Sequence, residues 1–163
     1  MAVAEIIGAA IGVLLLVVVA YILVGGTLTA AETVANAQKD LTILNEARIR
    51  TDIQLNTSEI NPVGISALNF SVTNSGNEII SDFTHMDIYT YNASDIYQYY
   101  NYDPDDKGGT GNWTITTFDN DYIHPNMLDP GEKMWIKATF PGLTPLRIQI
   151  TTGNGVSAST TVV

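Results

Sequence analysis

The stretch that decides the fold is residues 1–26, MAVAEIIGAAIGVLLLVVVAYILVGG, because almost all of it is apolar. No charged residue occurs in 6–31, and residues 6–24 consist of Ile, Leu, Val, Ala, Gly and one Tyr. At a rise of about 1.5 Å per residue such a helix is roughly 30 Å long, which is the thickness of a hydrocarbon core. The sequence therefore predicts a helix that can span a membrane.

The helical pattern continues beyond the apolar run. Between Gly26 and Pro62 there is neither glycine nor proline, and residues 27–50 are rich in helix formers. Their apolar residues recur at a helical spacing and form one stripe: Leu28, Ala31, Val34, Leu41, Leu44 and Ala47. We predict a single helix over residues 1–50, apolar at 1–26 and amphipathic afterwards, with the glycine pair at the end of the apolar run as its softest point.

After residue 50 the hydrophobic period changes from helical to alternating. Short runs rich in β-branched and aromatic residues are separated by Gly, Pro and Asn turns: ISALNFSVTNSGN, DFTHMDIYTYN, NWTITTFD, EKMWIKATF and LRIQITTGN. This pattern predicts that residues 51–163 form an antiparallel β-sandwich of the immunoglobulin-like kind. The chain as a whole is therefore expected to be α+β, with a long N-terminal hydrophobic helix followed by a β domain.

The run at residues 132–140 shows the alternation most clearly. Its residues expected in the core are Met134, Ile136, Ala138 and Phe140. Its residues expected to face outward are Lys133, Trp135, Lys137 and Thr139. The Asp-Pro-Gly sequence at 129–131 predicts a turn just before this strand.

Charge and composition exclude several kinds of function. The net charge is −10, and residues 53–163 hold twelve acids against four bases, which argues against binding nucleic acid through a basic patch. There is no cysteine, and neither His85 nor His124 lies in a catalytic or metal-ligand spacing. We expect no catalytic residue, cofactor or metal site, so the sequence does not predict an enzyme.

The segment from Asp95 to Asp121 combines six acids and one lysine with several tyrosines. Asp103, Asp105 and Gly108 match the start of an EF-hand loop, but Thr114 stands where that loop requires glutamate. We therefore expect a solvated loop on the outer surface. Its tyrosines would supply contact area rather than chemistry.

Glu5 is a single charge at the mouth of the apolar run, and it has two interpretations. It marks the interfacial end of a membrane anchor, where the helix macrodipole favours an acid. Alternatively it pairs with the N-terminal amine of a neighbouring copy and sets the axial register of a symmetric assembly. Gly8 and Gly12 form one Gly-x-x-x-Gly step, which allows two helices to approach closely.

Membrane anchoring explains most of the apolar run, but not the amphipathic helix that follows it. The first basic side chain is Lys39, so the run lacks the charged n-region of a signal peptide. We expect either an atypical anchor or a chain whose basic leader has been removed.

Four Asn-x-Ser/Thr sequons are candidate N-glycosylation sites: Asn56, Asn69, Asn92 and Asn112. Asn92 and Asn112 are expected in loops, where a glycan is easily accommodated. Asn69 is expected inside a strand, which makes it the poorer candidate.

Glu5 after a short start, an unbroken apolar helix running into an amphipathic one, and a C-terminal β domain together resemble a mature type IV pilin. The resemblance is to the archaeal branch that contains archaellins and archaellum accessory proteins. VTNSGNEIISDFTHMDIYTY at 72–91 and LDPGEKMWIKATF at 128–140 resemble the β domain of that branch, especially the accessory protein of the F type.

The resemblance implies a structural subunit of an extracellular archaeal filament, an archaellum or type IV pilus-like fibre. It implies a helical homo-oligomer with bundled N-terminal helices, β domains as its outer sheath, and a membrane-inserted precursor. The alternative is a membrane-anchored accessory or stator protein of the archaellum whose β domain binds the surface-layer protein. An anchored exoenzyme or ligand-binding sandwich is a third class, for which the sequence offers no site residues.

Overall fold

The computed structural model describes residues 2–56, 61–63, 66–93, 97–142 and 145–162. It contains two compact units, Met1–Leu44 and Asn45–Val163. Helix α1 spans Ala2–Arg50 and continues without interruption through the glycine pair, so the predicted long helix is confirmed. Its last six residues belong to the second unit.

Threonine hydroxyls of α1 are satisfied inside the helix. Thr27 Oγ1 donates to the carbonyl of Val24 at 3.0 Å, and Thr29 Oγ1 donates to that of Gly25 at the same distance. Thr33 and Thr42 make the same kind of bond to carbonyls four residues earlier. Hydroxyls bonded in this way need no water, so the helix can lie among lipid tails or other helices without leaving a hydroxyl unpaired.

The described residues of the second unit form nine strands: β1 Ile53–Leu55, β2 Asn61–Val63, β3 Ala67–Asn74, β4 Asp87–Tyr91, β5 Tyr97–Tyr102, β6 Asn112–Asp119, β7 Lys133–Thr139, β8 Arg147–Thr151 and β9 Ser157–Thr161. They follow the order β1-β3-β7-β6-β5-β4-β8-β9, with β2 also on β3. The α+β class and the sandwich-like β domain are confirmed. The two layers are, however, joined into one hydrogen-bonded sheet by a parallel pairing of β5 with β6.

The core lies between the two layers of this folded sheet. Its largest fully buried side chains are Trp113, Tyr100, Phe70 and Phe140. The alternation predicted for β7 is confirmed, since Met134, Ile136, Ala138 and Phe140 are buried. The four residues that alternate with them, Lys133, Trp135, Lys137 and Thr139, are half-buried, because β3 and β6 flank β7 on both sides.

The expectation of a single solvated loop from Asp95 to Asp121 is wrong. This segment contains all of β5 and all of β6, and Tyr100 and Trp113 within it are buried. Tyr100 also places its hydroxyl 2.9 Å from Thr90 Oγ1. The acids of the segment lie mostly outside the strands. The composition of all 27 residues therefore indicated a polar loop, although β5 within it has the alternation of exposed residues with buried or half-buried ones that is typical of strands.

A turn after β3 holds the end of α1 in the second unit. The amide of Asn77 donates to the carbonyl of Arg50 at 2.7 Å, and the amides of Ser75 and Gly76 donate to the carbonyl of Asp52 at 3.0 Å. Thr51 Oγ1 donates to the carbonyl of Ala47 at 2.8 Å. These bonds satisfy carbonyls that a free helix end would leave unpaired.

Candidate assembly surfaces

Glu5, Gly8 and Gly12 lie on one face of α1. Their spacings of three and four residues bring them to successive turns of the same stripe, and Glu5 is in the first turn. A Cβ added to either glycine meets nothing within 4 Å. Glycine inside a helix costs about 1 kcal/mol relative to alanine. The fold of the subunit therefore does not require either glycine.

The apolar side chains of α1 are exposed along its length. Val3 and Leu16 are each 70% exposed, and the most apolar window of Val3–Arg50 has a mean hydropathy of 3.0. By length and composition this helix can cross a membrane. An apolar surface of this extent is covered by lipid or by protein in any stable state.

The four sequons occupy different environments. Asn56 is exposed directly after β1, and Asn92 is half-buried directly after β4. Asn69 lies in the middle of β3, where its Oδ1 is shielded from water and has no hydrogen-bond partner among the described residues. Asn112, expected in a loop, is instead the first residue of β6 and pairs with Thr139.

The two histidines each contact an aspartate. His85 Nδ1 lies 2.6 Å from Asp82 Oδ2 and 3.4 Å from Thr84 Oγ1. A hydrolase triad uses both ring nitrogens, one for the hydroxyl and one for the carboxylate, whereas here both groups share one nitrogen. Hydrogen bonds from Thr84 and His85 lower the pKa of Asp82. His124 Nδ1 lies 2.8 Å from Asp129 Oδ1.

Sequence reasoning assigned the tyrosines of residues 95–121 to contact area but missed the aromatic surface that two of them form with Tyr89 and Tyr91 on the outer side of β4 and β5. We call it the tyrosine face and define it as Tyr89, Tyr91, Tyr97 and Tyr99. The rings pair across the two strands, with centroids 5.3 Å apart for Tyr89 and Tyr99 and 5.1 Å apart for Tyr91 and Tyr97. The alternation within residues 97–102, YQYYNY, was the signal that could have revealed it.

Residues 4–162 match the model of the archaeal-type flagellin family. The chain belongs to this family. Its members are structural subunits of the archaellum, an extracellular filament, so the prediction of a filament subunit is confirmed. The apolar part of α1 fits membrane insertion of a precursor. No curated protein sequence matches this chain.

Solved structures of archaellum proteins share the fold. The archaeal flagellum of Methanospirillum hungatei strain JF1 matches with a TM-score of 0.65 at 18% identity, over 95% of this chain and 90% of that one. The archaellum periplasmic stator protein FlaG from Sulfolobus acidocaldarius matches with a TM-score of 0.53 at 22% identity, over 68% of this chain and 97% of that one. The FlaF and FlaG stator complex of the same organism matches with a TM-score of 0.50 at 25% identity, over 66% and 86%. The flagellum match is long enough to include α1.

Proposed function

We propose that this chain forms a helical homo-oligomer through α1, which leaves the membrane and packs against the helices of other copies. The observation that carries the proposal is the continuous exposed apolar surface of a 49-residue helix in a member of the archaeal-type flagellin family. The β domains then form the outer sheath. Their acidic composition keeps that sheath soluble.

Assembly requires α1 to move out of the lipid bilayer, and this transfer needs a source of free energy. Lipid tails are about as apolar as leucine, so moving α1 from lipid into a helix bundle gains little from the hydrophobic effect. Packing at close range and specific polar contacts must then supply the preference for the filament. The face that carries Glu5, Gly8 and Gly12 offers both.

In this proposal the Glu5 carboxylate pairs with the α-amino group of an adjacent subunit. An unpaired carboxylate among apolar helices costs several kcal/mol, roughly 3–5 when one partner of a buried pair is removed. No lysine or arginine precedes Lys39. The amine of a neighbour is therefore the positive group nearest to this end of the helix, and pairing with it would fix the axial register.

Replacing the carboxylate tests this pairing. Glu5→Gln should leave membrane insertion and folding of the β domain unchanged but should lower the yield of filaments or disturb their register. Glu32→Gln makes the same chemical change on the same helix outside the apolar segment, and should assemble normally. Acetylation of the N-terminus should reproduce the Glu5→Gln defect. Normal filaments from both the acetylated protein and Glu5→Gln would contradict the pairing.

The likeness to the stator proteins supports a second candidate function. In it the chain stays in the membrane as an archaellum accessory protein, and its β domain binds the surface-layer protein. Stoichiometry separates the two candidates, because a filament subunit is among the most abundant proteins of sheared, purified filaments. An accessory protein would stay with the cell envelope.

We also propose N-glycosylation, with Asn56 and Asn92 as the favoured acceptors. Both directly follow the last residue of a strand and lie outside the strand pairings of the described residues. Asn69 is paired on both sides, by β2 and by β7, and Asn112 is paired with β7. Mass measurement of the peptides that contain each sequon identifies the occupied sites.

A further inference from the structure

The outer side of strands β4, β5, β8 and β9 differs in charge from the rest of the second unit. These four strands contain one acid, Asp87, and one base, Arg147, whereas residues 53–163 hold twelve acids and four bases. Asp87 also interacts with Tyr99 within the subunit. Partial burial of Tyr99 and the charge of Asp87 both raise the pKa of that phenol.

The tyrosine face and Arg147 form one continuous surface. By strand register Arg147 is the neighbour of Tyr91, and Gln149 is the neighbour of Tyr89. A groove of about 440 Å³ runs along these residues. Tyr97, at its margin, is 75% exposed. Tyrosines that are held in pairs by their strands supply contact area at little cost in side-chain entropy.

Arg147 has hydrogen-bonding capacity to spare. Its Nη2 donates to Ser159 Oγ at 2.8 Å, which uses one of the five N–H donors of a guanidinium. Lys107 and Lys137 of the same unit are instead each paired with an aspartate at 2.7 Å. Arginine in a largely uncharged aromatic surface is typical of the centre of a protein interface.

A second groove of the same unit ends in an incompletely paired carboxylate. It has a volume of about 400 Å³, and its walls include Phe83, Pro104, Ile115 and Phe118. Asp121 lies in this lining, where its Oδ2 accepts a hydrogen bond from the amide of Asn126 at 3.0 Å. Its Oδ1 is shielded from water and has no hydrogen-bond partner among the described residues. We call this the Asp121 groove.

We propose that the tyrosine face docks on a second copy of this chain, with Arg147 entering the Asp121 groove of that copy. The groove offers apolar walls to the aliphatic stem of arginine. Rotation of the Asp121 side chain, whose Oδ1 is unpaired among the described residues, would present its carboxylate to the guanidinium. Because the two surfaces are different, each copy keeps one of them free for the next copy, and the contact propagates as a filament requires. The tyrosine face carries few charges, so two acidic domains repel each other least when they meet at this surface.

This inference rests on the proposed function, because it concerns which parts of the outer domains touch once α1 has assembled. The two fail differently. If α1 does not drive assembly, the wild-type chain makes no filaments. If only the outer contact is wrong, wild-type filaments form and changes to Arg147 or Asp121 do not affect them.

A charge exchange tests the contact in filaments of the full chain. Arg147→Glu and Asp121→Arg should each raise the soluble fraction after sedimentation about tenfold, as reversal of one partner of an interfacial charge pair does. The double variant Arg147→Glu with Asp121→Arg should restore sedimentation toward the wild-type value. Lys107→Glu reverses an exposed charge outside the tyrosine face, and it should sediment like the wild type.

Melting of each variant as a detergent-solubilised monomer separates loss of contact from loss of folding. Arg147 lies on the surface of the unit, so Arg147→Glu should melt at the temperature of the wild type. Asp121→Arg also removes the hydrogen bond that Asp121 accepts from the amide of Asn126, so it should melt at a lower temperature but remain folded. Wild-type sedimentation of both single variants would overturn the proposal and would leave the tyrosine face to a different kind of partner, such as a carbohydrate. Two defective single variants that remain folded, with no rescue in the double variant, would overturn the pairing of Arg147 with Asp121.

Discussion

Gly76 shows at the scale of one residue how the second unit holds the end of α1. A Cβ at this position would lie against the backbone nitrogen of Asp52 and 2.5 Å from the carbonyl oxygen of Arg50. Backbone atoms at such distances cannot move aside as the tip of a side chain can. Glycine is therefore required here by close approach of two backbone segments.

Alanine substitutions at two glycines should have opposite effects. Gly76→Ala should lower the free energy of unfolding of the second unit by about 3 kcal/mol, because the turn must move away from the helix end. Gly12→Ala should leave that unit unchanged and favour the helix by about 1 kcal/mol, yet reduce filament yield by blocking close helix approach. Denaturant unfolding in detergent measures the first effect and sedimentation the second. Equal monomer stability of the two variants would contradict the role of Gly76.

At the scale of one element, β7 depends on its two faces being different. Ile136 is 1% exposed in the core, whereas Lys137 points outward and donates two hydrogen bonds to the Asp106 carboxylate, at 3.0 and 2.7 Å. The strand is bordered by β3 and β6 along most of its length. A slip by one residue would exchange the faces and bury lysines in place of Met134 and Ile136.

The two faces should respond differently to the same new charge. Ile136→Asp buries a carboxylate without a partner and should destabilise the unit by more than about 4 kcal/mol, which is enough to unfold it. Lys137→Asp breaks a partly exposed ion pair and should cost no more than about 1 kcal/mol. Thermal unfolding followed by circular dichroism compares the two variants. Similar melting temperatures would show that the assigned faces are wrong.

At the scale of the whole molecule, the chain divides into a long helix, which we propose drives assembly, and a second unit with its own core. The boundary lies at Leu44, inside α1. The carbonyl of Ala47 accepts the Thr51 hydroxyl, and the carbonyls of Arg50 and Asp52 accept the amides of the turn after β3. The last turn of α1 is therefore a structural component of the second unit.

Truncation at two points tests this division. Residues 45–163 should be soluble, folded and unable to form filaments, because they keep the helix end but lack the apolar helix. Residues 53–163 should also fail to assemble and should be less stable by about 2 kcal/mol or more, since several amides of the turn lose their acceptors. Denaturant midpoints compare the two proteins. Filaments made by residues 45–163 would contradict assembly through α1.

The sequence by itself determined the elements whose evidence is local. A helix is stabilised by residues three and four positions apart, and a single strand such as β7 shows its buried face by alternation. Residues 1–50 were therefore predictable in type and extent, and residues 132–140 were predictable also in the face that they bury. Glu5, Gly8 and Gly12 were also found from the sequence, and their role in assembly stays a prediction.

Only the tertiary structure decided the features that depend on distant neighbours. Whether β5 is a strand or a loop, and which of its tyrosines is buried, depends on pairing with β4 and β6, which the local sequence does not encode. The need for glycine at position 76 arises from a backbone that approaches from 24 residues earlier at Asp52. Arg147 becomes the neighbour of Tyr91 through register across 56 residues. Pairing of this kind is selected by burial in the completed core, so it is settled only when the whole β domain has folded.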